Sequence, residues 1–280
     1  MQNRREVFEG RKMAEEYRFP YAQNDLVSDV RDKMLVLTIN RQARYNAWTE
    51  ALREEFTRKL LDANEAEDVD ALIITGAGPN AFCAGADLGE TNSDSDAVSA
   101  GLERFIACYD AVRSFSKPLV AAVNGVAAGS GFQLIQFCDY VVAHPGVRMG
   151  QTEVNSGLPS VFGTWLMWER IGSRAYELSL QGRLMLAEEA KQLGFVNEIV
   201  EQSKVLHTAL DVARRLANQP RLAFKLSKAA NRQFDKERYA EAMKRAIAVY
   251  REAFENGEAQ RQVSQFFENR RDRKTDAHGG

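Results

Sequence analysis

Apolar residues along this chain change their spacing several times, and each change marks an element. Residues 34–39 (Met-Leu-Val-Leu-Thr-Ile) are a continuous apolar run between polar flanks, which predicts a buried strand. The polar stretch 40–46 reads as a loop. Thr49 suits a helix N-cap, and Leu52, Phe56 and Leu60 then recur every four residues, as the inner face of an amphipathic helix does. Residues 71–75 form a second apolar run. Strand, helix and strand within roughly 40 residues predict a right-handed βαβ unit with parallel strands.

The same reading carries down the chain. Residues 76–87 read as a loop, 96–115 as a helix, and Pro118 opens a central strand. Residues 140–143 form a fourth strand, and Met149 closes a short fifth. Two helices are expected between Phe162 and Gln181, broken near Gly172-Ser173. Another over 187–193 ends at Gly194, a good left-handed C-terminal cap. Residues 196–200 resume as a strand. From Lys204 the pattern is helical, with Tyr239, Met243, Ile247, Tyr250 and Phe254 on one apolar stripe. Composition shifts near Asn218 to Pro220. The expected organisation is therefore a peripheral segment (1–26), an α/β core (27–219) and a C-terminal helical region (220–280), whose last polar residues fray.

The stretch from Leu119 to Gln133 organises the rest. An apolar strand runs into Asn124-Gly125, then a loop carries Gly125, Gly129 and Gly131, then a helix is expected to begin near Phe132 and Gln133. Closely spaced glycines let a backbone turn sharply and approach a ligand. A helix start leaves unpaired N–H groups with partial positive charge. The combination suits an oxygen that carries or develops negative charge.

Composition narrows the function classes. Hydrophobic residues make up 45% and charged residues 27% of the 280, the balance of an ordinary soluble globular protein. A net charge of −2 gives no reason to expect nucleic acid or an acidic membrane as partner. No apolar run reaches the roughly 18 residues of a membrane span. The mixed-charge first 25 residues lack a signal peptide's apolar core, and their acids argue against a transit peptide. Cys83, Cys108 and Cys138 are few and widely spaced, reading as reduced thiols of a cytoplasmic protein. His144, His207 and His278 are too scattered for a metal cluster.

Four local features bear on chemistry. Gly76-Ala-Gly78 after a strand invites a dinucleotide reading, but the third glycine is missing and Pro79 obstructs the helix. Phe82-Cys-Ala-Gly-Ala-Asp-Leu88 is either a tight turn with Asp87 as a cap or a backbone clamp whose small residues let N–H groups face a ligand. The Gly125–Gly131 loop follows its own strand, so one N–H from each loop could form an oxyanion hole at the strands' carboxyl ends. Gly150-Gln-Thr-Glu153 places an acid among Val154, Leu158, Val161 and Phe162; exposed, it is a turn residue, but buried, its raised pKa would permit proton exchange near neutrality. Ser130 lacks the flanking glycine pattern of a hydrolase nucleophile elbow, so a backbone-donor role is favoured.

Together these loops resemble the enoyl-CoA hydratase/isomerase (crotonase) superfamily, over about residues 30–270. The matching stretches are Asn40-Arg41 with Asn46-Ala47, Ile73-Ile-Thr-Gly with Ala81 to Leu88, Lys117 to Gly131 with Cys138-Asp139, Gly150 to Glu153, Leu178 to Gly182, and Ala187 to Val196. The resemblance implies an α/β fold: a crotonase-like spiral of β-β-α turns with a C-terminal helical trimerisation region, giving homo-trimers or hexamers. It implies a coenzyme A thioester as substrate and no cofactor or metal. The thioester carbonyl would lie between the N–H groups of Ala86 and Ser130, the latter at a position where glycine is usual. Ala84, Asp87 and Leu88 match the loop at the adenine end. Arg44 stands beside Ala43, where the family often has a phosphate-binding lysine. Tyr45 and Leu158 complete the expected substrate contacts.

Glu153 falls on one of the two acid/base glutamates of the family's hydratases, and Gln133 on the other. A glutamine cannot exchange a proton but can hydrogen-bond a water. The expected function is hydration of a 2-enoyl-CoA, with Glu153 as general acid/base and Gln133 orienting the water. The alternatives are a 3-enoyl-CoA isomerase or hydratase-lyase using Glu153 alone, and a non-catalytic acyl-CoA-binding paralogue. Trp165, Met167 and Trp168 are either acyl-pocket residues or, more simply, helix-core packing.

Overall fold

The apolar runs of the sequence become neighbours in one sheet. The computed structural model describes residues 25–90, 95–255, 257, 261–263 and 265; the expectations for most of the N-terminal segment and for the frayed tail fall outside them. β1 (Leu26–Arg31) turns through Asp32 and Lys33, both at positive φ, into β2 (Met34–Ile39), which pairs with it antiparallel. Thr49 caps α1 (Glu50–Glu65), its side chain accepting from Leu52 N–H at 3.1 Å. Leu52, Phe56 and Leu60 are fully buried on its inner face. β3 (Ala71–Gly76) then runs parallel to β2, as expected of a βαβ unit.

β4 (Ala81–Cys83) precedes α2 (Ser95–Ser114). β5 (Leu119–Val123), β6 (Val126–Ala128) and α3 (Ser130–Ile135) follow, then β7 (Tyr140–Ala143) and β8 (Arg148–Gly150). α4 (Val161–Ile171) and α5 (Arg174–Gln181) are separated at Gly172, whose φ of 58° ends the first helix. β9 (Met185–Leu186), α6 (Ala187–Gln192) and β10 (Glu198–Ile199) complete the α/β part, with Gly194 left-handed after α6. α7 (Val205–Ala217), α8 (Arg221–Gln233) and α9 (Lys236–Glu255) follow.

The larger sheet has the order β1-β2-β3-β5-β7-β10, parallel beyond its first pair. α1 and α2 cover one face, with Phe56, Leu60 and Phe115 in the core, and α7 covers the other through Val205, Ala209 and Val212. Parallel strands buried on both faces are continuously apolar, which is why these runs carry no alternation.

A second sheet, of order β4-β6-β8-β9, positions the site. Two expectations are corrected here. The stretches read as loops at 76–87 and 125–131 contain β4 and β6, and the helix after them begins at Ser130 rather than near Phe132. Strands of two or three residues are too short to show a period, and their existence depends on each other's hydrogen bonds. Asn46, fully buried at φ 57°, helps hold the corner by donating to Ala77 O and Ala81 O at 3.0 and 2.7 Å.

In α9 the apolar stripe divides. Tyr239, Met243 and Ala246 pack with Tyr109, Phe162 and Leu166. Ile247 packs against that cluster and also lines a cavity, which Tyr250 and Phe254, further along, continue.

Candidate active site

β4 and β6 are adjacent and parallel, so the loops that leave them run side by side. Their separation is set by missing side chains. A Cβ on Gly85 would lie 3.1 Å from Ala128 O, and one on Gly131 only 2.2 Å from Cys83 O. Trp48 pins the first loop by donating to Gly85 O at 2.8 Å and accepting from Asp87 N–H at 2.7 Å. Gly129, at φ 52°, introduces α3, so Ser130 is the first helical residue and its N–H has no intrahelical acceptor. Among the described residues neither the Ala86 nor the Ser130 N–H has a hydrogen-bond acceptor. The Ser130 hydroxyl is likewise buried without a partner.

A cavity of about 740 Å³ opens at these two loops. Ala84, Ala86, Asp87 and Leu88 contribute to its wall from the first loop, Ser130 and Gln133 from α3. Arg44 and Tyr45 come from the single helical turn Gln42–Arg44 and its end, Glu153 and Leu158 from the turn Glu153–Ser156 and the residues after it. Every site residue expected from the sequence thus faces one space. Trp165, Met167 and Trp168 do not line it: Met167 is fully buried in the core, Trp165 stacks on Phe162, and Trp168 lies against Tyr176.

At the inner end stands Glu153. Its Oε1 accepts from Gln133 Nε2 at 3.1 Å, and a Cβ on Gly129 would lie 3.3 Å from the same oxygen. Gln133 is itself held, because the Tyr109 hydroxyl shares its one hydrogen between Gln133 Oε1 at 3.0 Å and Ser130 O at 3.1 Å. Gln151 is wholly buried beside them. Its amide orientation follows from hydrogen bonding. With the nitrogen toward Glu153 it donates to both carboxylate oxygens, at 2.6 and 2.9 Å. In that orientation the Gln151 nitrogen also faces Gln133 Nε2 at 3.2 Å.

Burial pushes the Glu153 carboxyl up to about 7, against donors from its own and Thr152 backbone, Ser160 and Gln133. Glu153 has no ion-pair partner among the described residues. Burial also pushes the Tyr109 hydroxyl well up, so it stays a donor. The outer end is different. Asp87 pairs with Arg41 Nη1 at 3.0 Å and caps Gly89 N–H at 3.1 Å.

Other candidates drop out. His144 accepts from Gly146 N–H on Nδ1 and bonds Asn124 O through Nε2, which leaves it no link to Ser130. Gly76 packs against Ala81 O and Phe82 O, a structural reason for a glycine there. All three cysteines are free and buried, and burial raises the Cys83 thiol to about 12. Among the described residues no cluster of metal-ligating side chains exists, and no helix is long and apolar enough to cross a membrane.

Tyr109 and Gln151 had no separate signal in the sequence. An aromatic at helical spacing reads as core, and Gln151 is one residue of a turn motif. An acid two residues after a buried amide is the pattern that could have found the latter.

Comparison with known proteins places these loops in context. A family model described as enoyl-CoA hydratase/isomerase matches residues 29–276. The chain is 33% identical over 212 residues to the 2,3-dehydroadipyl-CoA hydratase of Escherichia coli K12, covering 75% of this chain and 82% of that one. It is 32% identical over 243 residues to the 1,2-epoxyphenylacetyl-CoA isomerase of the same organism, covering 81% and 92%. Among solved structures, an enoyl-CoA hydratase/isomerase from Pseudoalteromonas atlantica superposes with a TM-score of 0.78 at 28% identity, covering 88% and 98%.

Proposed function

The chain belongs to the enoyl-CoA hydratase/isomerase family, and from that premise we propose that it hydrates a 2-enoyl-CoA thioester with Glu153 as the acid/base. The carrying observation is a carboxyl raised to about 7, beside two unengaged backbone N–H groups in one cavity. Hydratases among the chain's relatives support the same reading.

In this proposal the N–H groups of Ala86 and Ser130 donate to the thioester oxygen. The ionised Glu153 takes a proton from water as the water oxygen bonds to C3. Electrons of the C2–C3 double bond move onto the thioester, giving an enolate whose charge the two donors stabilise. Each such donor is worth about 10²–10³ in rate. The protonated Glu153 then returns a proton to C2. Gln133 fixes the carboxylate with an amide hydrogen and so orients the water that Glu153 activates. These steps call on no metal or redox group.

A second reading has its own support. Gln133 replaces a titratable group, so of these two side chains Glu153 alone can exchange protons, and one base suffices to move a double bond between C3 and C2. The isomerase among the relatives agrees with that. Crotonyl-CoA and a 3-enoyl-CoA incubated in ¹⁸O-water separate the two. Hydration puts label on C3, isomerisation leaves the product unlabelled, and binding of both esters without turnover would leave only an acyl-CoA-binding protein. Undiminished hydration by Glu153→Gln would sink the assignment of the base.

The family reading also carries a homo-trimer or hexamer, assembled through the C-terminal helices. Its support is α8, which buries none of its residues and leaves Leu222, Leu226 and Phe234 exposed at 68%, 58% and 80%. Light-scattering mass is the check, with a monomer contradicting it.

A further inference from the structure

One cation on the cavity wall has no part in the proposed chemistry. Arg53, on α1, lines the cavity with apolar neighbours and with two acids, Glu50 and Glu90, the latter accepting from the Glu50 N–H at 2.8 Å. Its guanidinium carbon sits 5.4 Å from the centre of the Phe105 ring, and Leu102, Ile247 and Tyr250 face the same space. Among the described residues no carboxylate pairs with it. Glu50, one turn earlier, is taken by Arg104 at 2.6 Å, and Glu55 by Lys59 at 3.9 Å. Arg53 also lies toward the chemical end. The Phe105 ring on which it lies is 4.7 Å from the ring of Tyr109, whose hydroxyl holds Gln133. The outer end has its own cations in Arg41 and Arg44.

A guanidinium walled by aromatic and aliphatic groups is expensive to desolvate unless an anion meets it. Its planar fork fits a carboxylate through two parallel N–H bonds, and a ring face on one side leaves its edge free for them. An acyl chain ending in a methyl would bury that charge unpaired. We infer that Arg53 binds a second, distal carboxylate on the acyl group, so that the preferred substrates are thioesters of dicarboxylic acids. This rests on the reading of the cavity as an acyl-CoA site. An anion could also come from coenzyme A itself, through its phosphates. Those phosphates belong to every CoA ester, whereas a distal carboxylate belongs to one acyl chain, so paired ligands of equal length tell them apart.

The test is calorimetric binding of adipyl-CoA and hexanoyl-CoA, neither of which carries a double bond to hydrate. The unaltered protein should bind the adipyl ester roughly 10- to 100-fold tighter, the range of a hydrogen bond between charged groups. Arg53→Met should bring that ratio to about one, and Arg53→Lys should leave it in between, as a point charge without the fork does. Equal affinities in the unaltered protein overturn the inference whatever the variants do. A ratio that survives Arg53→Met overturns it too, and equal weakening of both esters assigns Arg53 to the phosphates. Turnover of the corresponding 2-enoyl esters is a separate readout. A binding ratio without hydration of either ester keeps the carboxylate site and removes the hydratase reading.

Discussion

Glu153 and Asp87 are carboxylates on one cavity wall, held in opposite ways. Asp87, at the outer end, has Arg41 at 3.0 Å and a backbone N–H at 3.1 Å, so its charge is met wherever it forms. Glu153, at the inner end, is met by neutral donors alone, and burial lifts it to about 7. A paired carboxylate is a clamp: its charge is matched and it orients its loop. A desolvated carboxylate with neutral partners is poised between two protonation states, which proton transfer in both directions requires. The difference teaches that the position of a carboxylate on the wall says less about its role than the charge of its nearest neighbour.

The most severe break of this contrast is Glu153→Gln. It should lower kcat about 10³-fold or more, within the range for a lost acid/base group, in a crotonyl-CoA hydration assay. The same variant should be more heat-stable than the parent above pH 7. A carboxyl whose folded pKa is raised stabilises the fold only while protonated, and that contribution is lost as pH climbs through about 7. A neutral amide avoids the loss.

Ser130→Pro sharpens the backbone side. Proline is tolerated at the first helical position and removes the N–H together with a hydroxyl that has no partner, so kcat should fall about 10²–10³-fold with little change in helix content by circular dichroism. Unchanged kcat in a folded variant would show that this amide does not hold the thioester oxygen.

Tyr109→Phe removes the donor to Gln133 Oε1 without touching the carboxylate. It leaves a buried acceptor unmet, which costs about 1–3 kcal/mol in a denaturant melt. Because Gln133 is then less firmly held, kcat should fall about tenfold, a loss of one hydrogen bond's worth. At the outer end the effect should be smallest and of another kind. Asp87→Asn weakens a partly buried ion pair worth about 1 kcal/mol, so KM should rise about fivefold while kcat holds. A fall in kcat instead would mean that the two ends are not separable.

Much of this was readable before any coordinates, for definite reasons. β2, β3, β5 and β7 lie in a sheet buried on both faces, so each appears as an uninterrupted apolar run with polar ends. The cap at Thr49 and the left-handed Gly194 follow from local chemistry alone. β4, β6 and β9 were not readable. They span two or three residues and exist because neighbours supply their hydrogen bonds. The cavity wall divides in the same way. Glu153 and Gln133 sit within loop patterns that a family resemblance picks out. Tyr109 and Arg53 sit on long amphipathic helices, where a phenol looks like core and an arginine looks like a solvated face. What makes them matter is a contact across the fold, between Tyr109 and Gln133 or between Arg53 and Phe105, that no spacing along the chain encodes. The stripe on α9 was half legible: its apolar face was plain, but not that Tyr250 and Phe254 continue past the core into the cavity.

The most direct measurement is the pH dependence of kcat/KM for hydration of crotonyl-CoA. Because Glu153 must be ionised to accept the proton of water, the rate should rise with pH, reach half its plateau near 7, and stay level above it. A rate independent of pH through that region, or the same limb persisting in Glu153→Gln, would contradict the account.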